Sequence, residues 1–160
     1  MTLLSDPDPK VGSDAANACI LLPAGSAPSS LVEALVRAAS DVDPELRAQA
    51  VLALGSLRAA DGRELFLRAL SDEDWLVRMF AATAIGWMPD PRAIRSLEEL
   101  LADDEPLVRG AAVSALGKMG DAAVIVTIDA LLQTERDRDV RESAKEALEK
   151  LHGGGASAER

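Results

Sequence analysis

Apolar residues in this chain recur at steps of three and four, the spacing of a one-faced helix, and not at the alternating step of a strand. In "PRAIRSLEELL" at 91–101, Ile94, Leu97, Leu100 and Leu101 share one side. "SLVEALVRAA" at 30–39, "GRELFLRAL" at 62–70 and "AAVIVTIDALL" at 122–132 follow the same rule. A second set alternates with these: "LRAQAVLALG" at 46–55, "VRMFAATAIG" at 77–86, "VRGAAVSALG" at 108–117 and "VRESAKEALE" at 140–149. Arg47, Arg78 and Arg109 lie 31 residues apart, Arg141 follows after 32, and Gly55, Gly86 and Gly117 keep the 31-residue step. This is an internal repeat.

Acids precede each member of the second set, in "SDVDPE", "SDEDWL", "ADDEPL" and "ERDRDV". Asp43 and Asp74 stand where an N-cap carboxylate accepts from free amides of the first turn and suits the helix dipole. Pro44 and Pro106 fit the first helical position, which needs no amide donor. Gly55, Gly86 and Gly117 fall near the helix ends. The pattern predicts first helices over 29–39, 61–70, 91–102 and 121–133, and second helices over 44–57, 75–88, 106–119 and 138–151.

One such pair cannot bury its apolar face alone, whereas stacked neighbours can. The expected fold is therefore an all-α solenoid of about four two-helix repeats over 29–152. Residues 1–28 lie outside the repeat. "AGSAPSS" at 24–30 reads as a linker, and "SDAANACILL" at 13–22 as a short capping helix or part of a partly disordered extension. The tail 153–160 reads as disordered.

The motif D-x-x-[VL]-R-x-x-A-x-x-A-[LI]-G at this period resembles HEAT-like repeats of the bilin-lyase type, and designed helical-repeat binders are similar. Residues 43–55, 74–86 and 105–117 match it best, with Glu105 in place of the first Asp; the fourth copy carries Glu149 where Gly is expected. The resemblance implies a curved right-handed superhelix with the Val-Arg helices on the concave side. It also implies that Arg47, Arg78, Arg109 and Arg141 pair between repeats with acids such as Asp41, Asp72 and Asp103, as structural ties. It specifies a fold and leaves function open.

On a helical wheel of 75–88, Val77, Ala81, Ala84, Ile85 and Met88 form one arc, matched one repeat earlier by Leu46, Ala50, Ala53, Leu54 and Leu57. That arc is core. The opposite arc holds Trp75, Leu76, Met79, Phe80, Thr83 and Trp87, and its counterparts in other repeats differ. Leu52 and Leu107 flank it, Gly110, Ala111 and Ser114 leave a depression beside it, and Lys118, Glu142 and Glu146 are charged. Apolar surface opposite a core marks a partner site, and Trp, Met and Phe are enriched at interface centres. The partner-binding set is thus Leu52, Trp75, Leu76, Met79, Phe80, Thr83, Trp87, Leu107, Gly110, Ser114 and Lys118. Two other occupants remain open: the indoles folding over inter-helix gaps, or Ile20, Leu21 and Leu22 lying in the groove.

Charge narrows the partner. The net charge is −10, with 17 Lys and Arg against 27 Asp and Glu, which disfavours nucleic acid and anionic membrane. A protein or peptide with a basic flank suits Glu142 and Glu146. The single cysteine, Cys19, excludes an intramolecular disulfide. No apolar run approaches a membrane span, and a monomer or weak homodimer in the cytoplasm is expected. The only histidine is His152, so neither a metal site, a cofactor nor a His-based catalytic centre is expected; HEAT-like iron oxygenases use His-Glu pairs that this chain lacks. The reading is a non-catalytic interaction module. Its alternatives are a bilin-lyase-like enzyme or tetrapyrrole chaperone anchored by Arg78 or Lys118, and a homo-oligomer built through the same stripe.

Overall fold

Each second helix begins beside a carboxylate. In the computed structural model, which describes residues 9–155, Asp43 accepts from the Glu45 amide at 3.0 Å to open α3 (Pro44–Ser56). Asp74 accepts from the Leu76 amide at 2.9 Å to open α5 (Trp75–Trp87). Asp137 takes the Asp139 and Val140 amides at 2.9 and 3.0 Å at the start of α9 (Arg138–Gly155). Glu105, before α7 (Pro106–Met119), makes no side-chain cap. Its extra methylene disfavours the short return bond that Asp makes.

The first helices of each pair are α2 (Ser29–Ala38), α4 (Arg63–Ala69), α6 (Ile94–Glu99) and α8 (Ile125–Thr134). The last three open with 3₁₀ turns at Ala60–Gly62, Pro91–Ala93 and Ala122–Val124, and a further 3₁₀ turn, Leu100–Ala102, extends α6. Chain reversal after α3 and α7 uses left-handed residues, Arg58 at φ 53° and Gly120 at φ 74°.

Packing follows sequence order: α2 on α3, α4 on α5, α6 on α7 and α8 on α9. The second helices stack in a row, α3 on α5 on α7 on α9, while successive first helices meet one another only sparsely. The row with the tighter spacing is the inner, concave one. Leu54, Leu57, Phe66, Ile85, Leu97, Leu116 and Ile128 fill the space between rows and are buried. The fold is an α-helical repeat solenoid.

Both chain ends depart from the predicted bounds. Residues 9–19 form α1 (Pro9–Cys19), earlier than the predicted 13–22, and α1 packs against α3. Leu21 and Leu22 after it are exposed, so these two side chains do not cover the Trp75 stripe, while Ile20 packs against the core. Residues 1–8 lie outside the described residues. Helix α9 continues past 151 to Gly155, since each added residue extends the hydrogen-bonded ladder once it is nucleated. Residues 156–160, in the predicted disordered tail, lie outside the described residues.

Candidate functional site

The concave row places the predicted stripe on α5 with neighbours on α3 and α7, and it splits that set by burial. Trp75 is 38% exposed and Leu107 is 59% exposed. Lys118 is exposed as well. Leu52, Leu76, Met79, Phe80, Thr83, Trp87, Gly110 and Ser114 are half-buried, and Leu76, Met79 and Phe80 pack against the core. The Thr83 hydroxyl is spent on the Met79 carbonyl at 3.0 Å. The surplus apolar groups of α5 thus divide between covering the stack and facing solvent.

Glycine explains part of the division. A Cβ built on Gly55 would sit 2.6 Å from the Ala84 Cβ and 3.3 Å from Cε3 of Trp87. One built on Gly117 would sit 2.7 Å from the Ala147 Cβ. These glycines let successive inner helices touch backbone to backbone. They lie in the last turn, near the helix ends as the spacing predicts, and close approach requires them. Glu149, in the same position of α9, is exposed, and no helix among the described residues packs beyond it. The Trp87 indole covers Gly55, and the Lys118 stem lies over Gly86, with Cδ 3.4 Å from a built Cβ. Gly110 differs: its built Cβ would meet only Val140 Cγ2, at 3.9 Å.

Arginines tie the loops along one rim. Arg47 Nη2 donates to Asp72 Oδ1 at 2.8 Å, Arg78 Nε to Asp103 Oδ2 at 2.7 Å, and Arg109 Nε to Glu135 Oε2 at 2.6 Å. Each guanidinium also holds carbonyls of its own loop: Asp41 and Val42 for Arg47, Asp72 and Glu73 for Arg78, Asp103 and Asp104 for Arg109. Two expectations are corrected. Asp41 offers Arg47 its carbonyl only: Asp72 and Asp103 each pair with the arginine 25 residues earlier, and the residue 25 before Asp41 is Ala16. Arg141 donates to the Leu132 and Glu135 carbonyls and to no carboxylate among the described residues. Glu135 was missed: the last period is 32 residues, which puts Glu135 in register with Asp72 and Asp103.

This pairing moves the acids. Arg109 holds the Glu135 carboxyl down to about 2, against the opposing pull of burial and helped by the Asp137 and Arg136 amides. For Asp72 and Asp103 burial alone raises the value, but Arg47 and Arg78, with the Asp74 and Glu105 amides, outweigh it and leave both below the ordinary range. The guanidiniums rise in turn through these bonds. Fully committed in this way, Arg78 is a structural tie.

Between α7 and α9 the inner face opens into a cleft of ≈ 500 Å³. Pro106, Leu107, Gly110, Ala111 and Val140 supply apolar lining, Ser143 a hydroxyl, and Glu105, Asp137 and Asp139 carboxylates. No lining residue is basic. The acids that face this concave site therefore stand at the helix starts, whereas sequence reasoning placed the acidic flank at Glu142 and Glu146. Signal for them was present in "ADDEPL" and "ERDRDV", where they were read only as caps.

Other chemistry is sparse. Among the described residues no group of His, Cys, Asp and Glu is arranged to hold a metal ion, and no helix is long and apolar enough to cross a membrane. Burial pushes the Cys19 thiol up, and its Sγ donates to the Ala15 carbonyl at 3.1 Å, a poor setting for a nucleophile. His152 is exposed near the end of α9.

Comparison with known proteins agrees with this architecture. The complex of CpcE and CpcF of phycocyanin lyase from Nostoc sp. PCC7120 aligns over 98% of this chain and 67% of the matched chain, with a TM-score of 0.80 at 22% identity. A designed armadillo repeat protein in complex with the peptide (KR)4 aligns over 93% of this chain and 79% of that one, with a TM-score of 0.65 at 20% identity. Computationally designed armadillo repeat proteins for modular peptide recognition align over 92% and 79%, with a TM-score of 0.63 at 19% identity. At these identities the likeness is one of fold. Among curated protein sequences none matches. The HEAT repeats family matches residues 32–111 and again 69–149, spans that together take in every helix pair and the arginine rim: the chain belongs to the HEAT repeat family.

Proposed function

We propose that this protein is a binding module that takes a peptide or an extended protein segment on its concave row. One observation carries the reading. Trp75 and Leu107 remain exposed on a row whose core is complete without them, and carboxylates rim the surface between them and α9. An aromatic and an aliphatic anchor within a polar rim is the composition of a binding centre. The repeat folds designed for peptide recognition, one of them in complex with the peptide (KR)4, support a peptide-binding use of this fold. A peptide array probed with the intact chain tests it. The expected result is capture of a set of peptides, weakened about tenfold or more by Trp75→Ala or Leu107→Ala, with unchanged thermal melting. Equal capture by wild type and both variants would overturn the reading.

A tetrapyrrole role needs a polar anchor beside the indoles. Arg78 is committed to Asp103 and two carbonyls, which leaves Lys118. On the peptide-binding reading, a linear tetrapyrrole mixed with the protein shows no shift in its absorption spectrum.

A further inference from the structure

Gly110 has no structural reason to be glycine. It sits inside α7, where glycine weakens a helix relative to alanine. The glycines at 55 and 117 are compelled by Ala84 and Ala147, whose Cβ atoms would lie 2.6 and 2.7 Å from an added methyl. At Gly110 the nearest atom is 3.9 Å away, ordinary contact distance, so alanine fits. Its φ is not in the left-handed region. The repeat does not demand it either, since the equivalent residues are Ala48, Met79 and Glu142. What the missing side chain does is keep the α7–α9 cleft open.

The walls of that cleft specify its occupant. Val140, buried, and Ala111, half-buried, line it, and exposed Leu107 overhangs it. Glu105 on the α7 side and Asp139 on the α9 side are exposed, and neither takes part in an ion pair among the described residues. Asp137 is partly engaged, since its Oδ1 accepts two amides. The volume of ≈ 500 Å³ falls within the ~300–1,000 Å³ of ligand sites. Apolar walls ask for an aliphatic side chain, and two unpaired carboxylates in a lining that holds no basic residue ask for a positive one. The acids repel phosphate, which sets nucleic acid aside.

We propose that this cleft is the anchor site for a peptide that places an aliphatic side chain against Gly110 and an arginine or lysine between Glu105 and Asp139. The proposal rests on the concave face being a binding surface and names where and what it binds.

The test uses the intact chain and a fluorescein-labelled peptide of alternating arginine and leucine, read by fluorescence anisotropy. Peptides alternating glutamate with leucine, and arginine with serine, are the controls. The Arg-Leu peptide is expected to bind, more tightly at low salt. The Glu-Leu peptide should fail, and the Arg-Ser peptide should bind about tenfold more weakly. Gly110→Met fills the cleft and should weaken binding about tenfold or more while the melting temperature holds or rises. Glu105→Gln with Asp139→Asn should weaken binding and flatten its salt dependence. Unchanged affinity in Gly110→Met, or in the double variant, would overturn the proposal. Binding that is lost in Trp75→Ala but kept in the cleft variants would overturn the cleft assignment and leave the concave-face reading standing. Failure of wild type to bind the Arg-Leu peptide also overturns the proposal, and the peptide array then decides the broader reading.

Discussion

Gly117 and Gly110 stand on the same helix and face opposite situations. At Gly117 the next inner helix is so near that a methyl group would overlap the Ala147 Cβ at 2.7 Å; at Gly110 a methyl would meet only Val140, at 3.9 Å. The carboxylates of the flanking loops divide in the same way. Glu135 is side-chain buried at 5% exposure and locked to Arg109, whereas Glu105 and Asp139 face solvent beside the open cleft. Locked and open positions of like residue type thus occur together on α7, on α9 and in the loops that lead into them. Residue type therefore says little about role here. The distance to the neighbouring helix says much more.

The largest effect should come from breaking a locked carboxylate. Glu135→Gln leaves the Arg109 guanidinium, 16% exposed, without its charged partner, and should cost about 3 kcal/mol in urea denaturation at pH 7. The pH dependence sharpens this. Glu135 drops from 4.5 to about 2 on folding, so its contribution is fully present above the unfolded value and is lost as pH falls toward the folded one. The gap between wild type and Glu135→Gln should be full at pH 6 and shrink steadily below pH ~4.5. A gap that does not vary with pH would show that the ion pair is not its source.

Next in size is Gly117→Ala. Overpacking against Ala147 costs about 3 kcal/mol, helix propensity returns about 1, and a net loss of about 2 kcal/mol is expected by chemical denaturation. Gly110→Ala is its opposite: the propensity gain of about 1 kcal/mol has no clash to offset it, so the variant should be more stable than wild type. Equal and same-signed changes at the two glycines would break the comparison. The smallest effect belongs to Glu105→Gln, within about 0.5 kcal/mol of wild type in stability, because this acid holds nothing in the fold.

Much of the fold was legible in the chain. The second helices begin at Pro44, Trp75, Pro106 and Arg138 as the acid-first pattern predicts, because capping and periodicity are local. Two features are non-local and escape these patterns. Glu135 falls one residue off the 31-residue step because the last repeat is longer, and the close approach at Gly55 involves Ala84, which belongs to another helix. The candidate site was legible only as a region. Trp75 and Trp87 both stand out as departures from the repeat, with Leu107 as a flank and Gly110 in a depression beside them, but nothing local distinguishes exposed Trp75 from Trp87, whose ring covers Gly55.

The sequence by itself determined that this chain is a stack of helix pairs, where each second helix starts, and which arc of α3 and α5 is core. Those outcomes follow from residue spacing within a single helix. Only the tertiary structure decided which glycine admits a neighbouring backbone and which holds a cleft open, and which carboxylate is bound to arginine and which is free. Those outcomes depend on how closely helices from different repeats approach, a distance summed over many side chains and carried by no single stretch of the chain.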